Sequence, residues 1–299
     1  MLIIKYRKIF FWITGVILAM SVGSMLYFGL NFGIDFTGGA LVEARYEVGV
    51  PDKAQIEEAL TASGFSGSSV REGEEGTYFI RTASISDEQR LALEDILSIN
   101  DASPVSLERF TEIGPTIGQE LRSKAGVALL LVMVAIVLYV AFVFRHVSRP
   151  LSSWVYGTTV IVALLHDIIV PVGVFAILGY VFGAQIDTLF VMAILAILGY
   201  SVNDTIVVFD RVRENLRRNI ERGRKEEFAL TVGKSLDQTF VRSVNTSMTT
   251  LLVLTALFFL GPDATQDFAL TLIVGVIAGT YSSLCLASPL LVTVERWRK

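Results

Sequence analysis

Residues 198–215 read LGYSVNDTIVVFDRVREN, an apolar helical stretch that reaches Asn203 and Asp204 before its basic end. The apolar run begins near Thr188, so at about 1.5 Å per residue Asp204 lies roughly 24 Å into a hydrocarbon core about 30 Å thick. An ionised carboxylate at that depth costs on the order of 3 kcal/mol, which favours a polar partner or a bound proton. Asp204 is therefore predicted either to carry protons or to join neighbouring helices through hydrogen bonds.

The composition predicts an α-helical membrane protein. The 299 residues are 53% hydrophobic, with a mean hydropathy of +0.59, and the apolar runs are long enough to cross a bilayer. Six transmembrane helices are predicted, at 9–30, 125–144, 154–178, 188–209, 241–260 and 268–292. The first run is longer than the apolar core of a signal peptide and no cleavage pattern follows it, so we expect it to be retained.

The positions of Lys and Arg predict the orientation. In the short connections they lie before the first span, between the second and third, after the fourth and at the end of the chain, for example Lys5, Arg7, Lys8, Arg145, Arg149, Arg296, Arg298 and Lys299. Arg122 and Lys124 lie on the other side, but they follow a long exported domain, where the charge rule is weak. The connections 179–187 and 261–267 contain neither residue type. Because cytoplasmic loops are enriched in Lys and Arg, both termini are predicted to be cytoplasmic and the segment after the first span to be extracytoplasmic.

The net charge of −4 conceals two different parts. Residues 35–120 hold 17 acidic and 6 basic side chains, whereas the rest of the chain is basic. The basic linker 211–240 is interpreted as a juxtamembrane segment that faces anionic lipid, and no nucleic-acid partner is expected. A single cysteine, Cys285, excludes an intrachain disulfide, and the two histidines show no metal-ligand spacing, so no cofactor or metal is expected.

The segment after the first span is glycine-rich. It reads NFGIDFTGG at 31–39, and Gly33, Gly38 and Gly39 allow tight turns where the chain leaves the membrane. Asp35 is predicted to fix that turn through its own backbone. A phosphate-binding loop is disfavoured because neither G-x-G-x-x-G nor a Walker lysine is present.

Short elements then predict a small soluble domain within 35–120. Strands are expected at 40–48, 68–72, 77–82 and 104–113, helices at 51–63 and 87–99, and a turn at Glu74, Glu75 and Gly76. The order β-α-β-β-α-β predicts a ferredoxin-like α+β sandwich. The domain contains no nucleophile, base and orienter set, so binding is favoured over catalysis.

Two other spans carry ionisable residues. His166 and Asp167 lie about 11 residues from the outer end of the third span, close to the midplane. His166 is either a packed neutral residue or a titrating partner of Asp167.

Arg242 of the fifth span lies near the depth of Asp204 and either extends to the cytoplasmic boundary or pairs with a carboxylate. Pairing with Asp204 is favoured, because each charge lowers the burial cost of the other.

Two weaker patterns concern helix packing. Apolar residues in the linker predict a surface helix before the fifth span: Phe228, Leu230, Val232, Leu236 and Phe240. Gly275 and Gly279 of the sixth span have the GxxxG spacing that permits close helix contact.

Six segments, in order along nearly the whole chain, resemble the SecD/SecF family of bacterial protein-export membrane proteins, relatives of the RND transporters. They are NFGIDFTGG at 31–39, IGPTIGQEL at 113–121, LLHDIIV at 164–170, LGYSVNDTIVVFDRVREN at 198–215, SLDQTFVRSVNTSMTTL at 235–251 and GTYSSLCLASPLL at 279–291. The resemblance implies the RND-type half that pairs with SecD in the bacterial cytoplasmic membrane, with the two fourth spans facing each other.

The resemblance also implies a function. Such a complex uses the proton-motive force to draw unfolded exported polypeptides away from the SecYEG channel after the SecA motor has pushed them in. By the resemblance, Asp204 matches the family's intramembrane Asp of the fourth span and Arg242 its Arg of the fifth, and Asn203 and Asp167 match polar positions beside them. His166 joins the expected proton relay because it adjoins Asp167. Membrane lipids and protons complete the expected partners, and no enzyme activity is expected.

Three alternatives stay open at this point. The chain has the span number of one half of an RND-type small-molecule or lipid exporter. Asp167 and Asp204 on adjacent spans also suggest an intramembrane aspartyl protease, but the required G-x-G-D run is missing, since Gly199 to Asp204 reads GYSVND. A membrane scaffold without proton transfer is the third alternative.

Overall fold

The chain folds into two compact units. The computed structural model describes residues 2–65, 67–73, 76–99, 103–145, 151–224 and 226–297. The first unit, which we call the bundle, comprises Met1–Leu30, Val127–Leu178 and Leu189–Lys299. The second, which we call the α/β unit, comprises Asn31–Gly126 and Gly179–Thr188. The predicted turn residues Glu74 and Glu75, and the basic residues Arg149, Arg298 and Lys299, lie outside the described residues.

Six helices in the described part of the chain are long and apolar enough to cross a membrane, which confirms the six predicted spans. A short helix α1 (Leu2–Lys5) precedes them. The six are α2 (Arg7–Phe28), α6 (Pro115–Val143), α7 (Ser153–Phe182), α8 (Thr188–Glu221), α9 (Phe228–Leu260) and the last, Asp263–Trp297. The last consists of α10 (Asp263–Tyr281), a π-helical turn (Ser282–Ala287) and α11 (Ser288–Trp297).

The linker between the fourth and fifth spans differs from its prediction. α8 continues to Glu221 and α9 begins at Phe228, so the expected surface helix is the first part of α9. Phe228, Val232 and Leu236 are buried in the bundle core, whereas Phe240 is exposed. The predicted helix is present, but it is continuous with the fifth span and packs into the core, because no proline interrupts residues 228–260 and the apolar stripe continues into the span.

Two prolines interrupt backbone hydrogen bonding in the bundle. Pro171 lies inside α7 and has no N–H to donate to the carbonyl of Asp167, four residues earlier. Pro289 in α11 likewise cannot donate to the carbonyl of Cys285. The wider π-helical turn before Pro289 makes room for the ring next to that carbonyl. This turn was not predicted, and it contains Ser282 and Ser283, both of which are buried.

The α/β unit has the predicted ferredoxin-like topology. Its elements are α3 (Ile34–Thr37), β1 (Gly39–Tyr46), α4 (Lys53–Ala62), β2 (Ser69–Glu72), β3 (Thr77–Thr82), α5 (Asp87–Leu97) and β4 (Val105–Ile113). The strands form one sheet in the order β2-β3-β1-β4, with every neighbouring pair antiparallel. Alternate residues of β1, including Val42 and Ala44, pack with Ile56 of α4 and Leu93 of α5 to form the core. The predicted fold class is confirmed.

Two tyrosines tie the helices to this sheet. The Tyr46 hydroxyl donates to the carbonyl of Leu97 at 2.9 Å, and the Tyr78 hydroxyl donates to the carbonyl of Pro51 at 2.7 Å. Their rings meet edge to face, with centroids 5.8 Å apart. Burial, and then the neighbouring Tyr78, raises the pKa of Tyr46 to about 12. The folded state therefore favours the neutral phenol of Tyr46.

We expect Tyr46→Phe to remove part of the alkaline destabilisation of the α/β unit. The raised pKa means that Tyr46 contributes its full stabilisation below its ordinary value of 10.0 and loses it as the pH rises toward about 12. The lost hydrogen bond lowers the stability at neutral pH by about 1 kcal/mol. Thermal unfolding of the purified chain at several pH values measures both effects. Parallel losses of stability in the variant and the wild type above pH 10.0 would contradict this assignment.

Candidate functional site in the bundle

Asp204 lies on α8, with its carboxylate turned toward α9. The Ser243 hydroxyl of α9 donates to Asp204 Oδ1 at 2.5 Å. Asp204 Oδ2 is buried and has no hydrogen-bond partner among the described residues. A buried carboxylate oxygen without a donor is unfavourable when it is charged, and a proton on it removes most of that cost. The geometry therefore suits an acid that alternates between the ionised and the protonated form.

Arg242 does not form the predicted direct ion pair with Asp204 in this structure. Its side chain is exposed, and its positive charge acts on the Asp204 carboxylate without a direct contact. Neighbouring residues on a helix point about 100° apart, so α9 presents either Arg242 or Ser243 to Asp204, but not both. Ser243 occupies the facing position. Counting residues predicted the level of Arg242 in the span but not the direction of its side chain.

Asp167 forms a second polar centre, on α7, and is fully buried. His166 Nδ1 lies 3.0 Å from Asp167 Oδ1, so we assign the proton to Nδ1. Asp167 Oδ2 accepts hydrogen bonds from Ser282 at 3.0 Å and from Ser201. These contacts join α7, α8 and the π-helical turn at one carboxylate. His166 Nε2 is buried and has no partner among the described residues.

Further hydroxyl groups extend the network from α8 to its neighbours. Thr205 Oγ1 and Ser283 Oγ are 2.8 Å apart, and Ser283 also donates to the backbone carbonyl of Ser201 at 3.3 Å. A separate chain runs from the Tyr200 hydroxyl to Ser247 Oγ at 3.2 Å, and from there to Thr280 Oγ1 at 2.5 Å. Each hydroxyl can both donate and accept, so these groups join the helices through hydrogen bonds without adding charge to the bundle.

Close helix contact makes this network possible. A Cβ atom on Gly279 would lie 2.9 Å from Ser201 Cβ, and one on Gly275 would overlap the Ile197 side chain. The close contact predicted from the GxxxG spacing is therefore found, with α8 as the partner of α10. It brings Ser201 next to the π-helical turn that contains Ser282.

The remaining predicted polar residues are divided between the inside and the outside of the bundle. Ser247 is buried, whereas Asn203, Asn245, Thr246 and Thr249 are exposed. Sequence reasoning missed Ser201, Ser243, Ser282 and Ser283. The adjacent serines 282 and 283 within an apolar span, and the spacing of Ser243 four residues before Ser247, were signals that could have found them.

The glycine segment 31–39 lies in the α/β unit. Gly38 and Gly39 have φ values of +76° and +124°, which favour glycine, and a Cβ atom on Gly38 would lie 2.8 Å from Pro115 Cα. Gly33 has an ordinary φ of −67° and is the N-cap of α3. Asp35 Oδ2 accepts a hydrogen bond from the N–H of Thr188 at 2.8 Å. The prediction that Asp35 fixes its own turn is replaced by this contact with a distant segment.

Two family models match the sequence. The model described as "Protein export membrane protein SecD/SecF, C-terminal" matches residues 93–297, and the SecD/SecF GG motif matches residues 23–50. The chain belongs to the SecD/SecF family. It is accordingly a multi-pass membrane protein of protein export, and the glycine segment is its GG motif. No group of three or more His, Cys, Asp or Glu that could hold a metal ion occurs among the described residues.

Relatives and solved structures agree with this assignment. The SecF subunit of the protein translocase from Thermobaculum terrenum is 40% identical, over 98% of this chain and 93% of the relative. The SecF subunit from Pseudomonas aeruginosa is 36% identical, over 96% and 89%. The crystal structure of SecDF from Thermus thermophilus, described as a translocon-associated membrane protein, fits with a TM-score of 0.86 and 33% identity. It covers 98% of this chain, but this chain spans only 38% of SecDF.

Proposed function

We propose that this chain is the SecF subunit of a SecDF complex that uses the proton-motive force to promote late steps of protein translocation across the bacterial cytoplasmic membrane. The observation that carries the proposal is the state of Asp204. Its carboxylate lies on a span, receives one hydrogen bond from the neighbouring helix and keeps one buried oxygen without a partner among the described residues. Such a group gains and loses a proton at low cost to the fold.

Protonation of Asp204 changes the contact between α8 and α9. The ionised carboxylate holds the Ser243 hydroxyl through a charge-assisted hydrogen bond, which is about twice as strong as a neutral one. It also attracts the positive charge of Arg242. A proton weakens both interactions at once, so α8 and α9 become free to shift. In this mechanism Arg242 keeps its predicted electrostatic attraction to Asp204, but the direct contact with the Asp204 carboxylate is made by Ser243.

Asp167 and His166 form the second centre of the proposed relay. Asp167 already has hydrogen-bond partners on both oxygens, so it stabilises the arrangement of α7, α8 and the π-helical turn. His166 Nε2 is buried, and among the described residues it is the atom of this centre that has no hydrogen-bond partner. Ser201 of α8 connects to Asp167 directly, and Thr205 follows Asp204 in the same helix.

The outer polar face of α8 and α9 supports a SecD partner. Asn203, Arg242 and Asn245 are exposed on helices that are otherwise apolar enough to span a membrane. Polar groups facing lipid are costly, so a partner helix is expected to cover them. This chain spans about two fifths of SecDF, and SecD supplies the remainder in the proposed complex. The SecYEG channel, SecA, unfolded exported polypeptides, protons and membrane lipids are its further partners.

The proposed orientation follows the charge distribution. Both termini and the connection between α8 and α9 face the cytoplasm, and the ferredoxin-like part of the α/β unit faces the extracytoplasmic side, where exported chains emerge. A protease is not favoured, because the described hydrogen bonds join Asp167 to Ser201 and Ser282 and join Asp204 to Ser243, and none of them links the two carboxylates. The family match likewise favours protein export over a small-molecule exporter.

An export assay in inverted membrane vesicles tests the proposal. Vesicles from cells depleted of this chain are compared with vesicles in which it is restored, with SecA and ATP supplied and with an uncoupler present or absent. We expect the restored chain to increase the amount of fully translocated substrate only while the proton-motive force is present. Equal stimulation in the presence of the uncoupler would contradict the use of protons.

A further inference from the structure

Asp35 connects the GG motif to the first residue of the proton-carrying helix. Its Oδ2 accepts a hydrogen bond from the N–H of Thr188 at 2.8 Å, across 153 residues of sequence. Thr188 is the first residue of α8, and Asp204 lies sixteen residues further along the same helix. The first N–H groups of a helix have no partner within the helix and carry the positive end of its dipole. A carboxylate is therefore the side chain best suited to hold this end.

Backbone contacts reinforce the connection within the α/β unit. Gly33 N–H donates to the Ile186 carbonyl, and Ile186 N–H donates to the Asn31 carbonyl, both at 2.8 Å. The Asn31 side-chain amide also donates to the carbonyls of Gly183 and Ala184, at 3.3 and 3.1 Å. A Cβ atom on Gly33 would approach Asp187 Cβ to 3.2 Å. The segment before α8 is thus held along its length, and Asp35 adds the contact to the helix itself.

The GG motif is also fixed to the sheet and to the start of α6. Arg81 of β3 donates to the Phe32 carbonyl and to the Thr37 hydroxyl, both at 2.6 Å. A Cβ atom on Gly118 of α6 would lie 2.9 Å from the Gly38 nitrogen. These contacts leave little freedom between the motif and the strands. A displacement that reaches Asp35 is therefore passed to the sheet instead of being absorbed by a loose loop.

We propose that Asp35 is a positioning residue that transmits the movement of α8 to the α/β unit, an inference that rests on the proposed proton-driven function. α8 runs without a proline from Thr188 to Glu221, so a shift or rotation caused at Asp204 is carried along the helix to its first turn. The hydrogen bond from the Thr188 N–H then moves the Asp35 carboxylate together with the first turn of α8. The GG motif therefore links proton binding at Asp204 to movement of the ferredoxin-like part of the α/β unit.

The test uses the full chain in its native complex and three variants. Asp35→Ala removes the carboxylate, and Asp35→Asn keeps an oxygen that can accept from Thr188 but removes the charge. The matched control is Ser86→Ala, because Ser86 caps α5 by accepting from the Gln89 N–H at 3.2 Å and has both partners inside the α/β unit. Export stimulated by the proton-motive force is measured in inverted vesicles, with chain abundance and thermal unfolding measured in parallel.

Coupling between two sites in proteins commonly amounts to about 5–150-fold. We therefore expect Asp35→Ala to reduce proton-dependent stimulation by roughly fivefold or more, Asp35→Asn to give an intermediate value, and Ser86→Ala to keep wild-type stimulation. Wild-type stimulation in Asp35→Ala would overturn the inference. If Asp35→Ala does not accumulate, Asp35→Asn decides, since reduced stimulation supports the inference and wild-type stimulation overturns it.

Hydrogen exchange separates transmission from simple stabilisation. In the wild type, we expect a change of pH to alter the protection of amides in the first turn of α8 and in residues 31–39 together, after correction for the intrinsic pH dependence of exchange. In Asp35→Ala, the first turn of α8 should still respond while residues 31–39 no longer do. A joint response in the variant would overturn the inference. Asp204→Asn is measured in parallel, so that failure of the proposed function and failure of this inference can be told apart. Wild-type stimulation in Asp204→Asn contradicts the proposed function. A joint response of α8 and residues 31–39 in Asp35→Ala contradicts only this inference.

Discussion

Asp204→Asn is expected to reduce proton-dependent stimulation of export to the level seen with an uncoupler, while the chain stays folded and bound to its partner. Asparagine has nearly the same shape as aspartate, and its amide oxygen accepts from the Ser243 hydroxyl as the carboxylate does. It does not ionise, so the contact between α8 and α9 remains in one state. Translocation in inverted vesicles, with and without a proton-motive force, measures the loss.

Asp210→Asn is the matched control for this prediction. Asp210 lies six residues further along α8, is exposed and forms an ion pair with Arg213 at 2.5 Å. Surface pairs of this kind contribute about 0–1 kcal/mol, so we expect wild-type stimulation. If Asp204→Asn also keeps full stimulation, Asp204 does not carry protons, and its role is limited to joining α8 and α9.

Gly279→Val is expected to abolish stimulation by a different route, through the packing of α10 on α8. A Cβ atom at Gly279 would lie only 2.9 Å from Ser201 Cβ, and valine adds two further methyl groups there. Overpacking of this kind costs about 1–3 kcal/mol and forces the helices apart. Ser282 would then move away from the Asp167 carboxylate, which it contacts at 3.0 Å. A lower unfolding temperature in detergent and a loss of stimulation in vesicles are the two expected measurements.

Gly199→Val supplies the comparison for the packing effect. Gly199 lies on α8, and no atom would come within 4 Å of an added Cβ. The variant makes the same chemical change in the same bundle without a clash inside the chain, so the unfolding temperature of the chain purified without its partner should stay near that of the wild type. Equal destabilisation of the two variants would show that a β-branched residue in the helix, and not the contact with Ser201, causes the loss.

The sequence predicted the architecture well because its signals are local. Runs of apolar residues define the six spans, and alternation with turn residues defines the β-α-β-β-α-β order. The ends of α8 and α9 were less predictable. Hydropathy detects the part of a helix that lies in lipid, whereas α8 extends to Glu221 and α9 starts at Phe228, well into charged sequence. The helical pattern continues there, but its apolar residues form only one stripe among polar ones, so the mean hydropathy stays low.

Counting residues along the spans suggested which side chains lie at the same level of the bundle, but not the direction in which each side chain points. Counting residues placed Asp204 and Arg242 at one level, yet the rotation of about 100° between neighbours presents Ser243 to the carboxylate instead. Hydroxyls on apolar helices are ambiguous in sequence, because they bond equally well to their own helix, as Thr250 does to the Thr246 carbonyl at 3.0 Å. The contact between Asp35 and Thr188 joins residues far apart in sequence, and only the fold brings them together.

The most direct measurement is infrared difference spectroscopy of the purified complex in lipid, in which the pH is changed and the carboxyl band of Asp204 is identified by comparison with Asp204→Asn. We expect a protonated carboxyl band that appears and disappears with pH in the wild type and in Asp210→Asn, and that is missing from Asp204→Asn. Identical difference spectra for the wild type and Asp204→Asn would show that Asp204 does not exchange protons, and would contradict its role as the proton carrier.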